Sequence, residues 1–283
     1  MTEEEYYSVR EMAPGVFHIG EPGGVYTTLI LGQTRALLVD TGYGYANLYK
    51  KVRQLTDLPL EVVLTHGHAD HFGGAWAFDE VWFNMTDYAS YRWYQDEQKV
   101  LIMEKFARDR AAAGLPDVWP DDFDKEGYKQ LDIQRMLPYE AGKVFDLGGR
   151  RVRAIGLPGH TAGSMMFLDD VTGLMISGDS ISDSLWMFFD ASASVTEYER
   201  ALAHLGDQLE GIAVTGVLAA HRDFILPPEI IEEMLYTVRQ INPASDKRFI
   251  HPRTQLRGLC HREKCRCSDR FRYIYVVYRP DRL

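Results

Sequence analysis

Three of the nine histidines and one aspartate crowd into the run Thr65-His66-Gly67-His68-Ala69-Asp70-His71, directly after the apolar stretch Leu60-Glu61-Val62-Val63-Leu64. Imidazole nitrogens bind zinc at about 2.0–2.1 Å and carboxylate oxygens at about 2.0–2.2 Å, so such groups must converge on a point a few ångströms across. On a helix, residues three and four apart share a face and residues two apart do not. His66 and His68 can therefore converge only from an extended or loop backbone, and the preceding strand supplies it. Asp70 and His71, a step further on, can turn toward a second ion. The run predicts a two-metal loop at the end of a strand.

Further candidate ligands close three later strand-like segments: His160 in Leu157-Pro158-Gly159-His160-Thr161, Asp179 in Ile176-Ser177-Gly178-Asp179-Ser180, and His221 in Val217-Leu218-Ala219-Ala220-His221. An α/β sheet exposes its binding groups at such strand ends. Asp40, in Leu38-Val39-Asp40-Thr41-Gly42, closes another. His18, His204, His251 and His261 receive no functional role; each sits in an ordinary strand, helix or tail context.

Taken in order over residues from about 16 to 241, the Asp-Thr-Gly turn, the His-x-His-x-Asp-His block, the Pro-Gly-His-Thr turn, the Gly-Asp pair and the late histidine resemble the metallo-β-lactamase superfamily of metal-dependent hydrolases. The resemblance implies an α/β fold, the four-layer αββα sandwich, here with a helical insertion. It implies His66, His68 and His160 on one metal, Asp70, His71 and His221 on a second, Asp179 bridging them, and Asp40 behind the histidines as a hydrogen-bond acceptor that orients a ring. It also implies two divalent ions: zinc is the first expectation, with iron or manganese compatible with the same donors.

The implied chemistry is hydrolysis. Two ions about 3.5–4 Å apart can share a water, lower its pKa and hold the resulting hydroxide against an electrophile; Asp70 is the candidate catalytic proton shuttle as well as a ligand. An ester, thioester or lactone with a hydrophobic or aromatic portion is the expected substrate, because Trp186, Phe188 and Phe189 follow the bridging aspartate and Tyr88, Tyr91, Trp93, Tyr94 and Trp119 lie in the insertion. Arg222 is the one cation expected beside the ligands, so a phosphodiester is the second reading. A mononuclear-iron persulfide dioxygenase, which shares the His-x-His-x-Asp-His block, is the rival from another class. Glyoxalase II-like members match these motifs, but their glutathione-binding helical domain has no counterpart after Ile241.

The 283 residues are 46 % apolar and 25 % charged, ordinary for a globular enzyme. No stretch reaches the roughly 20 apolar residues of a membrane span, and the start Met1-Thr2-Glu3-Glu4-Glu5-Tyr6 lacks the basic and apolar segments of an export signal, so a cytoplasmic protein is expected. Residues 1–246 are read as the metallo-β-lactamase-like domain, with the insertion at about 86–140, and residues 247–283 as a basic tail ending in a strand at Phe271–Tyr278. That tail carries eleven Lys/Arg against three acids, a local +8 that leaves −18 for residues 1–246 of a chain at −10. It is expected to lie on its own acidic body or on that of a partner subunit rather than on RNA or a membrane. Its three cysteines, Cys260, Cys265 and Cys267, match no common zinc spacing; they are read as thiols, with a further metal site left open. A small-molecule substrate is the expected partner, and homo-oligomerisation is left open.

Overall fold

Residues 2–283, apart from Asp96, 129–132, Gln134, Glu210 and 252–254, are described by a computed structural model. The chain divides into two compact units, one of Met1–Tyr139, Phe145–Arg150 and His221–Asp223, the other of Glu140–Val144, Arg151–Ala220 and Phe224–Leu283.

The first unit runs α1 (Glu3–Tyr6), β1 (Ser8–Ala13), β2 (Val16–Gly20), β3 (Tyr26–Leu31), β4 (Ala36–Val39), α2 (Leu48–Arg53), β5 (Leu60–Val63), α3 (Ala69–Phe72), β6 (Val81–Phe83), α4 (Tyr88–Gln95), α5 (Glu97–Ala112), α6 (Lys125–Tyr128) and β7 (Met136–Pro138). Its seven-stranded sheet keeps sequence order, β1 to β7. Strands β1 to β4 pair antiparallel. From β4 onward the pairing is parallel, because helical crossovers replace hairpins. All four residues of β4 are buried. That is the continuous apolar run expected of a strand covered on both faces. The backbone leaves the parallel strands β4 and β5 at Asp40 and Thr65, so the sheet delivers the acceptor and the metal loop side by side.

The segment expected as a helical insertion, 86–140, contains α4, α5 and α6; its residues Asp96, 129–132 and Gln134 lie outside the described residues. Its apolar positions Tyr91, Tyr94, Val100, Met103, Phe106 and Tyr128 join the core formed by Leu29, Leu38, Val52, Val62, Phe72 and Phe83. Full burial of each such side chain stabilises by roughly 1.5–3 kcal/mol.

In strand β8 (Val144–Asp146), Val144 belongs to the second unit and Phe145 and Asp146 to the first. The second unit continues with β9 (Arg151–Gly156), β10 (Met165–Asp169), β11 (Leu174–Gly178), β12 (Ser184–Met187), α7 (Val195–Ala203), α8 (Leu205–Leu209), β13 (Gly216–Ala219), α9 (Ile230–Arg239), β14 (Lys247–Ile250), β15 (Arg257–Lys264) and β16 (Tyr273–Tyr278). Strands β9, β10 and β11 pair antiparallel and β13 joins β11 in parallel. Helix α7 starts at the Ser194/Glu197 capping box that its sequence announces.

The basic tail is more structured than a single closing strand. Its three strands extend β12 into a four-stranded sheet of order β12-β16-β15-β14. Its arginines engage acidic and aromatic groups of the same unit: Arg266 Nε lies 2.9 Å from Glu233 Oε1, and Arg279 Nη1 lies 2.6 Å from Asp190 Oδ1. Arg253 of the tail lies outside the described residues. Cys260, Cys265 and Cys267 are free thiols. Among the described residues no helix is long and apolar enough to cross a membrane.

Candidate metal centre

In the first unit the metal loop hangs from one buried carboxylate. Asp40 takes a left-handed backbone, φ +64°, a conformation Asp tolerates better than most residues. Its Oδ1 accepts the Thr65 amide at 2.7 Å, and its Oδ2 accepts the Thr65 hydroxyl at 2.8 Å and His71 Nδ1 at 2.8 Å. With its proton given to Asp40, the Thr65 hydroxyl accepts from His66 Nδ1 at 3.0 Å. Thr41 closes the set by donating both its amide and its hydroxyl to the His71 carbonyl. These bonds fix the tautomers of both rings and turn their Nε2 edges the other way.

Gly67, between the first two histidines, has no room for a side chain: a Cβ there would sit 2.8 Å from both the Asp87 carbonyl and the Tyr91 amide. Its amide donates to Asp87 Oδ2 at 2.9 Å, and its carbonyl accepts from Ser90 Oγ at 3.3 Å. The rings then gather. His66 lies 4.6 Å from His68 and 3.9 Å from His71, centroid to centroid, and His71 lies 5.8 Å from His221. His221 Nδ1 donates to the Gly24 carbonyl at 3.2 Å, which directs Nε2 to within 3.5 Å of Asp70 Oδ2; His71 Nε2 lies 3.9 Å from the same oxygen. Ligand atoms of Asp70, His71 and His221 all fall within 4.8 Å of one another. Two imidazoles and a carboxylate at that spacing suit a divalent first-row cation.

The second unit brings together His160 and Asp179, with His160 Nε2 3.5 Å from Asp179 Oδ2. The His160 ring is held from behind by the Trp186 carbonyl, 2.6 Å from Nδ1, and its backbone carbonyl accepts from Ser192 Oγ at 2.7 Å. Trp186 thus contributes its backbone as well as its ring. Phe189 packs edge-on to His160 at 5.4 Å, whereas Phe188 is 1 % exposed inside a cluster with Trp186, Phe249 and His251. Arg222 is turned onto its own chain, donating from Nη1 to the His221 carbonyl at 2.7 Å.

The family model of the metallo-beta-lactamase superfamily matches residues 20–217. The chain belongs to the metallo-β-lactamase superfamily. Among the proteins it resembles, acyl-coenzyme A thioesterase MBLAC2 of Bos taurus is 23 % identical over 249 residues, 78 % of this chain and 83 % of that protein. Atrochrysone carboxyl ACP thioesterase nsrC of Aspergillus novofumigatus is 28 % identical over 188 residues, 62 % of this chain and 47 % of that protein. A metallo-beta-lactamase from Pontibacter korlensis superposes with a TM-score of 0.55 at 15 % identity, covering 83 % of this chain and 100 % of the other, which shows the fold.

Three groups of this superfamily member, Thr65, Asp87 and Glu21, escape a reading by motif, and a fourth, Tyr94, enters the sequence reading only as one of the insertion's aromatic rings. Thr65 lies inside the motif but carries no ligand. Asp87 is twenty residues downstream, and its only local sign is the turn that Asn84 caps. Glu21 is 5 % exposed; it accepts the Tyr43 amide on Oε2 at 3.1 Å, and burial, countered in part by hydrogen bonds and reinforced by the charge of Asp70, lifts its carboxyl to about 8. It braces the Gly42–Gly44 turn, while its own loop carries the Gly24 carbonyl that holds His221. Tyr94, on α4, stands edge-on to His68 at 4.8 Å; burial and then Asp70 push its phenol upward.

Of the histidines given no role, His18 is a satisfied core group, with Nδ1 3.1 Å from Thr28 Oγ1 and Nε2 3.2 Å from the Arg222 carbonyl. His261 pairs with Asp246 at 2.7 Å.

Proposed function

We propose that this chain is a thioesterase that cleaves an acyl thioester with the help of two divalent ions, zinc by first expectation. His66, His68 and His160 would hold one ion, Asp70, His71 and His221 the other, and Asp179 would serve both. The observation that carries the reading is the convergence of Asp70, His71 and His221 ligand atoms to within 4.8 Å, with His71 anchored from behind by buried Asp40. The choice of a thioester is supported by the relatives named as acyl-coenzyme A and ACP thioesterases. Arg222, engaged with the His221 carbonyl, gives little support to a phosphate-binding alternative.

When bound, the ions supply Lewis acidity and an activated water at neutral pH. The protein's own part is to hold the donors still and to move protons. Asp40 and Thr65 keep His66 and His71 in the tautomers that present Nε2. Asp70 Oδ2, which faces the Nε2 atoms of His71 and His221, is the oxygen suited to pass a proton to the departing sulfur. Phe189 and Trp186, beside His160, offer apolar surface for the acyl portion.

The test is turnover of acyl-coenzyme A thioesters, read by thiol release, on protein whose metal content has been measured. Hydrolysis that disappears on dialysis against a chelator and returns with a divalent ion is the expected result. Undiminished turnover by metal-depleted protein, or no cleavage of any thioester, ester or lactone by the loaded protein, overturns the reading.

A further inference from the structure

A buried phenol costs free energy unless its hydroxyl finds an acceptor, and most buried tyrosines of this chain obey. Tyr7 donates to the Ala46 carbonyl at 2.9 Å, Tyr128 to Tyr43 at 3.0 Å, Tyr139 to Leu64 at 2.7 Å and Tyr198 to Ser180 at 2.8 Å. Tyr6, whose hydroxyl is sealed without a hydrogen-bond partner, does not obey, and Tyr94 is a second exception of another kind. It is 7 % exposed, no hydrogen bond joins its hydroxyl to another described residue, and that oxygen, unlike the Tyr6 hydroxyl, is not sealed from solvent.

Its position gives that hydroxyl a use. Tyr91, Tyr94 and Gln95 are buried together on α4, the three-and-four spacing that sets them on one face. The Tyr94 ring is held between Trp93, 4.5 Å away at 89°, and His68, 4.8 Å away at 61°. Both are contacts between rings, which a phenylalanine at this position would keep. The oxygen adds nothing to the fold that the ring does not already supply. It is close enough to Asp70 to feel that carboxylate.

We propose that Tyr94 is a catalytic residue, whose phenol donates a hydrogen bond to the carbonyl oxygen of the bound thioester and strengthens that bond as negative charge gathers there. The proposal rests on the thioesterase reading above. A phenol keeps its proton at neutral pH and is a competent donor. Water oxygen adds to the acyl carbon, and the carbonyl π pair moves onto the oxygen that Tyr94 contacts. As that pair returns, the C–S bond breaks with its electrons leaving on sulfur, which takes up the proton released by the water. Acid and thiol are the products, and Tyr94 ends as it began. Donors aimed at a developing oxyanion are the groups whose removal slows turnover most without harming substrate binding.

The experiment compares wild type with Tyr94→Phe, using an acyl-coenzyme A substrate and two inert analogues: a ketone with CH2 in place of sulfur, and a thioether with CH2 in place of the carbonyl. The variant should retain its metal content and its melting temperature, raise KM by no more than about tenfold, and lose on the order of a hundredfold in kcat. It should bind the ketone about tenfold more weakly and the thioether as wild type does. A kcat within twofold of wild type, equal affinity for the ketone in both proteins, or a lowered melting temperature that assigns the hydroxyl to the fold, each overturns the proposal. Wild type that leaves thioesters uncut defeats the thioesterase reading and this proposal together. Active wild type with an unaffected variant defeats Tyr94 alone.

Discussion

His71 Nδ1 lies 2.8 Å from Asp40 Oδ2, and both side chains are sealed from solvent, at 0 % and 3 % exposure. A neutral imidazole that donates through Nδ1 presents Nε2 as its basic atom, so the carboxylate selects the tautomer a ligand needs. Asp40→Asn keeps the shape and tolerates the left-handed backbone at φ +64°, but an amide is a weaker acceptor and can turn its NH2 toward the ring. Partners of this kind are worth roughly 10- to 100-fold in metal affinity. The variant should show that loss in competition with a chromophoric chelator while its circular dichroism stays unchanged; wild-type affinity would contradict the role given to Asp40.

Glu21 makes stability depend on pH in the sense opposite to most carboxylates. Its folded pKa, about 8, lies above the 4.5 of the unfolded chain. Between those values the native protein holds a proton that the unfolded chain has released, so stability falls as pH rises through the window and levels off above about 8. The total change is on the order of several kcal/mol. Glu21→Gln keeps an acceptor for the Tyr43 amide and removes the titration. Melting temperatures at pH 5.5 and 8.5 should drop more for wild type than for the variant, and parallel slopes would refute the assignment.

What could be read from the sequence was what is written locally. The metal loop follows β5 with its ligands in consecutive positions, and the Ser194/Glu197 cap lies directly ahead of α7, so chain order alone exposes both. Strand β12 (Ser184–Met187) escaped because four residues carry no period, and it becomes a strand through parallel pairing with β16, nearly ninety residues later. Strand β15 escaped for another reason: Arg257–Lys264 sets Arg, His, Glu and Lys among its few apolar positions, and the charges hide the alternation that burial reveals. Glu21, Asp87 and Tyr94 belong to the site through space. Glu21 looks like one acid among 41, and only its burial sets it apart.

Two backbones meet without side chains between them at Gly44 and Gly73. A Cβ on Gly44 would sit 2.2 Å from the Gly73 carbonyl oxygen, and Gly44 holds φ +77°. Strain and collision add, and the contact cannot be relieved by rotating a side chain. Gly44→Ala should destabilise by about 3 kcal/mol or more, the range of severe core lesions, read as a lowered midpoint in urea. An unchanged midpoint would show that the Asp40–Gly44 turn can move away from Gly73.

Asp87 holds the metal loop at the one residue there that has no side chain. Its Oδ2 accepts the Gly67 amide at 2.9 Å in a site where Asp87 itself is 2 % exposed. Removing the acceptor leaves a buried N–H unsatisfied, a cost of roughly 1–3 kcal/mol. Asp87→Ala should lower stability by that amount, and it should also weaken metal binding, because His66 and His68 flank the amide that comes loose. Asp87→Asn keeps an acceptor oxygen for Gly67 and should recover most of both. The two effects separate the structural reading from the functional one: if Asp87→Ala loses stability but binds metal with wild-type affinity, the loop is held by Asp40 and Thr65 alone, and Asp87 has no part in shaping the centre.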